Sequence, residues 1–349
     1  MNVSSFPALV RPFLDGETDH LRVFKSGPAT LALAVAELAA RGRNWVVVVP
    51  GPLELAQARA LLTLLHPGGE PMAPDWERSW CELGPYLPSL PGPAQWGPRM
   101  AALYALRYAP RPHGLLCTVD NLLPLWPEPG LTADAQLTVR RGEELSLELF
   151  LDQAVAWGYE SRPLVDRVGD MAVRGDILDV YAPGYPMPLR VEFFGDVVEE
   201  VRLFDPASQR SRQDLDEAVI LPVGPAVAAP SRVERARERI EELRRTGELG
   251  SGEAHELNRR LDEGDCFLPP GLCDRRAAAL EAFLPPDAAF VLGSGSLLRQ
   301  KLEDAHAAWG EFFDKTAADS GFRWPGQFLL RQAEGARSAW IGSPQMVFE

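Results

Sequence analysis

Cysteine and lysine are both scarce in this 349-residue chain. The four cysteines are Cys81, Cys117, Cys266 and Cys273. They are too few and too scattered for a disulfide framework. Cys266 and Cys273 form the only close pair, without C-x-x-C spacing and without a second pair, so a zinc site is not expected. Reduced thiols of a cytoplasmic protein fit this usage. The three lysines are Lys25, Lys301 and Lys315, and the remaining basic charge is arginine, the residue better suited to fixed bidentate contacts. Net charge is -14, against the basic balance common in proteins that neutralise phosphates, so direct DNA binding is disfavoured. No apolar run approaches the ~20 residues of a membrane helix, and Met1–Phe6 lacks a basic-then-apolar leader pattern.

Motifs for nucleotide chemistry are missing as well. A phosphate loop needs G-x-x-x-x-G-K-[ST] between a strand and a helix, because backbone N–H groups cradle phosphates and a lysine reaches them. The nearest candidate, Arg22 to Thr30, has one glycine, places Lys25-Ser26 ahead of it, and puts Pro28 where an N–H is wanted. Gly293-Ser294-Gly295-Ser296 reads as a strand-to-helix turn with Ser296 as the helix cap. Asp120, ending a buried strand, reads as the cap of a helix after Asn121. The five histidines form no recognisable ligand motif, and there is no G-x-S-x-G elbow. No catalytic, cofactor-binding or metal-ligating residue is assigned.

What is present is ordinary globular composition, with 46% hydrophobic and 24% charged residues. Helices are expected over Ala29–Ala40, Leu53–Leu65, Met100–Tyr108, Leu145–Trp157, Arg232–Arg245 (with Ser231 as N-cap) and Leu297–Trp309. The continuous apolar runs at Trp45–Val49, Gly114–Val119 and Ala288–Leu292 suit parallel strands buried on both faces. Pro71–Pro98, rich in Pro, Trp and Gly, reads as a long ordered loop. Thr246–Gly264 reads as a polar, glycine-punctuated stretch. From Glu160 to Leu221 short alternating strands and tight turns take over. The order α/β, β-rich, α/β is read most economically as an α/β domain (1–131 and 225–349) interrupted by a mixed, mainly antiparallel β domain (132–224). Two separate α/β domains are the other arrangement this order allows.

The β segment reads as a three-stranded antiparallel meander: Arg174–Tyr181, Pro188–Phe194 and Val197–Phe204. Strand alternation assigns Ile177, Tyr181, Leu189, Val191, Phe193, Val197, Val201 and Leu203 to the core, with Asp179 and Glu199 as exceptions. The opposite face takes Arg174, Asp176, Arg190, Glu192, Phe194, Glu200 and Arg202, with Leu178 and Val180 among them. Assuming Arg174 roughly opposite Phe194, the trio Arg174, Arg190 and Phe194 shares one exposed face. An exposed aromatic flanked by arginines is the composition of an interface hot spot. A Phe194 tucked under a neighbour, with arginines in surface ion pairs, is the alternative from pattern alone.

The run R-G-D-I-L-D-V-Y, with P-L-R-V-E-F-F-G-D-V-V-E-E-V-R-L-F-D-P-A-S-Q-R-S closing at Ser211, resembles the domain shared by UvrB and the bacterial transcription-repair coupling factors (Mfd). Asp75-Trp76-Glu77, Tyr86-Leu87-Pro88 and Arg99–Tyr108 resemble the same family. UvrB carries a phosphate loop and helicase motifs that this chain lacks. The resemblance is therefore to the coupling factors' N-terminal module, which implies a degenerate P-loop-NTPase-like sheet domain. It also implies a non-catalytic adaptor that binds UvrA through Arg174, Arg190 and Phe194. It implies that RNA polymerase and DNA are engaged only by other parts of a longer protein, an ATP-dependent translocase. A C-terminal domain of that longer chain is expected to mask the UvrA surface. The competing expectation is a divergent UvrB-like ATPase or helicase core, whose hydrolysis would depend on Lys25.

Overall fold

Apolar residues in unbroken runs, bounded by Pro and Gly, leave a strand no polar face, so it must sit between two layers. A computed structural model describes residues 6–24, 26–65, 72, 74, 77–109, 113–130, 135–226, 230–274, 276–341 and 343–349. It places β2 (Trp45–Val49), β4 (Gly114–Thr118) and β13 (Ala289–Gly293) inside a six-stranded sheet, fully buried. The order is β1-β14-β13-β2-β4-β3, with β1 at His20–Val23, β3 at Trp80–Leu83 and β14 at Gln345–Phe348. Every neighbouring pair is parallel. Alternate residues feed two separate cores: Val46, Val48, Leu115 and Leu292 lie in one, Val47, Val49, Leu116 and Val291 in the other.

Helices cover both faces. The second core takes α1 (Phe6–Leu14), α2 (Pro28–Ala40) and α3 (Pro52–Leu65). The first takes α4 (Pro93–Tyr108). Helix α5 (Leu147–Ala156) starts at Ser146, whose Oγ accepts the Leu149 amide as an N-cap. Helices α6 (Pro230–Thr246) and α7 (Ser251–Asp262) pair around Ile240, Leu243, Leu257 and Leu261. The 26-residue α8 (Gly295–Ser320) buries Trp309, which stacks on Tyr86 with ring centroids 4.9 Å apart. Helix α9 (Ala333–Ile341) precedes β14.

Several sequence expectations are corrected here. Pro71–Pro98 is not one loop: it supplies edge strand β3 and the start of α4, while positions 71, 73, 75 and 76 lie outside the described residues. The polar stretch 246–264 holds α7, an amphipathic helix whose Ala254, Leu257 and Leu261 are buried. Ser231 lies within α6, which already begins at Pro230. Ser294, not Ser296, precedes α8; it is left-handed (φ 52°) and makes no side-chain capping bond. Asp120 lies inside a 3-10 turn, Val119–Leu122, where its carboxylate accepts the Tyr86 amide and the Thr118 hydroxyl.

A second six-stranded sheet has the order β11-β10-β9-β8-β7-β6. Its strands are β6 (Glu160–Ser161), β7 (Asp170–Arg174), β8 (Ile177–Val180), β9 (Leu189–Phe194), β10 (Val197–Phe204) and β11 (Ser211–Leu215). All pairs are antiparallel except β6 with β7. The antiparallel ribbon β5 (Leu137–Arg140) with β12 (Glu217–Ile220) lies beside it in sequence. One face of this sheet joins the first core through Leu178, Val180, Leu189, Val191, Phe193, Val198, Val201 and Leu203, together with Phe150 and Ala154 of α5. The protein is thus α/β, with a parallel sheet and a separate, mostly antiparallel one.

Candidate functional site

The outward face of the second sheet is set by two tight turns. Arg174 pairs with Ile177 across Gly175-Asp176, and Phe194 pairs with Val197 across Gly195-Asp196. Gly175 (φ 62°) and Gly195 (φ 63°) take the first central position, where a two-residue hairpin loop needs positive φ. Across such a turn residues i and i+3 share a face, so the parity of outward positions flips.

That flip revises the face assignment. The span 174–181 is two strands, not one, and the meander is part of a six-stranded sheet. Leu178 and Val180 point into the core, and Ile177 and Val197 share the outward side; Tyr181 is half-buried and donates its hydroxyl to Pro186 O. Asp179 is no exception, because its partner across β8–β9 is Arg190. A register shift between Val198 and Glu200 then restores the original parity, so Val201 and Leu203 face inward as expected. Arg174 does not lie opposite Phe194. It pairs with Ile177, which pairs with Glu192, so Arg174 is level with Glu192. Phe194 and Arg190 are each one outward step along β9 from that row. Arg174, Arg190 and Phe194 therefore do lie on one face.

The three differ in how they are held. Phe194 is 74% exposed at the end of β9. The Arg174 side chain is half-exposed, donates Nη2 to Pro163 O at 3.0 Å and lies 4.0 Å from Asp179. The Arg190 side chain is only 15% exposed. Its Nε and Nη2 donate to Asp179 Oδ1 and Oδ2 at 2.6 and 2.8 Å, and Nη2 also donates to Gln209 Oε1 at 3.0 Å. Its guanidinium stacks on the ring of buried Phe204, 4.4 Å from the centroid. The bond to Asp179 raises the Arg190 pKa above the ordinary guanidinium value. Arg202 on the same face is ion-paired with Glu192 and with Glu200.

Sequence reasoning missed Asp179 and Gln209. Asp179 was legible as an acid between two core residues, Leu178 and Val180, which asks for a cation on a neighbouring strand. Gln209 gave no signal, because its left-handed conformation (φ 58°) depends on the loop built by Asp205. The Asp205 carboxylate accepts the amides of Ala207 and Ser208 and pairs with Arg212 at 2.6 Å.

A crevice also opens at the carboxyl ends of the parallel strands, where open α/β sheets commonly bind ligands. Ser26, Gly27, Pro28, Glu54, Gly293, Ser294 and Glu349 line it. Lys25, the candidate phosphate-contacting residue, lies outside the described residues. The Ser296 amide at the start of α8 donates to Glu349 Oε2 at 2.9 Å, and Ser26 donates its amide and hydroxyl to the Glu349 carbonyl. A carboxylate of the chain thus occupies a helix start that would otherwise favour an anion.

A second polar cluster, also missed from sequence, is internal. Buried Arg99 donates Nη2 to Asn121 Oδ1 at 2.7 Å and stacks over Tyr86, 4.5 Å from its centroid. Burial pushes the Arg99 pKa down to about 10 and raises that of Asp120. Burial also raises the thiol pKa values of Cys117, Cys266 and Cys273, the last to about 12. Among the described residues no group of three or more His, Cys, Asp or Glu could hold a metal ion, and no helix is long and apolar enough to cross a membrane.

An exposed aromatic thus lies on one sheet face with arginines that are partnered within the chain. Comparison with known proteins shows what this part of the chain is similar to. Residues 137–225 match the family described as the UvrB interaction domain. The chain is 38% identical over 145 residues to the transcription-repair-coupling factor of Myxococcus xanthus, covering 40% of this chain and 12% of that protein. It is 33% identical over 208 residues to that of Mycobacterium bovis, covering 58% and 16%, and 28% identical over 205 residues to that of Haemophilus influenzae, covering 58% and 17%. The chain is thus similar to the UvrB interaction domain over residues 137–225 and to part of the transcription-repair-coupling factors, and the aligned part spans less than a fifth of the relatives named.

Proposed function

We propose that this chain is a non-catalytic adaptor that docks UvrA through the outward face of the second sheet, with Arg174, Arg190 and Phe194 as anchors. The observation that carries the reading is Phe194, 74% exposed on a strand whose other outward residues, Arg190 and Glu192, are charged. A large aromatic left in water has no role in the chain's own core, and such residues dominate interface energetics when they enter a partner's pocket. The coupling factors' similarity supplies the setting: recruitment of UvrA to stalled transcription by a longer protein whose other parts engage RNA polymerase and DNA. On this reading residues 132–224 form the docking unit, 1–131 and 225–349 the scaffold, and a C-terminal domain of the longer chain masks the face. The working place is the bacterial cytoplasm.

The ATPase reading finds little support in the crevice geometry. Glu54 and Glu349 put negative charge where a triphosphate would lie. The test is a calorimetric titration of UvrA with wild type and with Arg174→Ala, Arg190→Ala and Phe194→Ala. Binding by wild type that weakens in each variant supports docking. Absence of wild-type binding, with ATP hydrolysis lost on changing Lys25, would replace it with the enzyme reading.

A further inference from the structure

The docking face contains a carboxylate that is almost wholly withdrawn from water. Asp179 is 2% exposed although its side chain belongs to the outward side of β8. It is covered from its own face: Arg190 closes over it with two hydrogen bonds, and Arg174 stands 4.0 Å away. A bidentate arginine–carboxylate pair fixes the plane of the guanidinium as well as its position. Phe204 beneath the guanidinium and Gln209 beside it complete a clamp on three sides. Few of the conformations open to a free arginine survive such a clamp, which lowers the entropy lost when a partner is met.

We propose that Asp179 is the positioning residue of the docking face, acting through Arg190. Asp179 sets the guanidinium across β8 and β9, one row from Arg174 and two outward positions from Phe194. Nε and Nη2 are spent on Asp179 and Gln209, so Nη1 is the edge offered to an acceptor on UvrA. Arg190 does not act as a free surface cation; its charge is balanced within the chain, and its contribution is a fixed donor and a flat platform beside Phe194. This inference rests on the docking reading.

The experiment is a double-mutant cycle on the whole chain, with UvrA binding measured by calorimetry and folding by thermal unfolding. Asp179→Asn keeps the shape and one acceptor, and Asp179→Ala removes both. In the wild-type background Asp179→Asn is expected to weaken UvrA binding on the order of tenfold. In the Arg190→Ala background the same change is expected to add less than about twofold, because the group it positions is gone. The Arg190 Nε–H resonance is expected to exchange slowly with solvent in wild type, where it is bonded to Asp179, and faster in both Asp179 variants. Equal loss in the two backgrounds, tracking a lowered unfolding midpoint, would show a merely structural role and overturn the proposal. Unchanged UvrA binding by Asp179→Asn would overturn it too, while leaving the docking reading intact. If wild type captures no UvrA, the docking reading itself falls and carries the inference with it.

Discussion

Phe194 and Arg190 sit on the same strand and the same face, yet removing each would do different things. Phe194 has little to lose in the free chain, being mostly in water. Arg190 is the lid of a buried carboxylate. Arg190→Ala leaves Asp179 buried and short of its partner, so unfolding stability is expected to fall by about 3 kcal/mol. Chemical denaturation of the variant checks this, and adding Asp179→Asn should recover part of the loss. Arg174→Ala, whose side chain is half in solvent, is expected to change stability by no more than about 0.5 kcal/mol. The sequence marked all three face residues, because an arginine or an aromatic at an outward strand position stands out against a β-branched background. It did not mark what holds Arg190, since a contact across strands depends on register, and register depends on turn geometry.

The turns and bulge of the second sheet decide which residues meet the outside. Reading one parity from Arg174 to Phe204 put Leu178 and Val180 on the wrong face because of the Gly175-Asp176 turn, and Val197 because of the Gly195-Asp196 turn. Both glycines have positive φ with open space around the missing Cβ, so a substitution there is opposed by backbone strain and not by a clash. Gly195→Ala is expected to cost about 1–2 kcal/mol, read from the denaturation midpoint. Gly114, in β4 of the parallel sheet, is opposed by contact. A Cβ there would lie 2.0 Å from the Trp45 ring, so Gly114→Ala should fold poorly or shift the Trp45 fluorescence. The central strands β2, β4 and β13 were legible, since unbroken apolar runs have few other uses; β1 and β14 are not such runs and were not read as strands. Edge strand β3 was not legible, because Trp80-Cys81-Glu82-Leu83 is short, broken by the charge of Glu82 and set among prolines.

The whole molecule joins two sheets through one continuous core, which ties the second sheet to the parallel one. That fold carries no phosphate loop in its sequence, and its strand-end crevice has two of the chain's own acids, Glu54 and Glu349, in its lining. Its acid limb follows from two surface carboxylates. Hydrogen bonds from Arg212 and Ser208 lower the Asp205 pKa to about 2, and Arg259 and Arg260 lower that of Glu256 to about 2. A carboxylate depressed in the folded state stabilises it above its unfolded pKa, and that stabilisation is lost as pH falls through the folded value. Melting temperature should therefore decline from about pH 4 toward pH 2, less steeply in Asp205→Asn. Raised by burial, Asp120 acts in the opposite sense: its contribution is full below its unfolded pKa and is lost as pH rises. The most direct test of docking is a calorimetric titration of UvrA with wild type and Phe194→Ala, each checked by thermal unfolding. The account predicts wild-type binding, a loss of about 2 kcal/mol in Phe194→Ala, and unfolding midpoints that coincide. Equal affinity of the two proteins, or no binding by wild type, would contradict it.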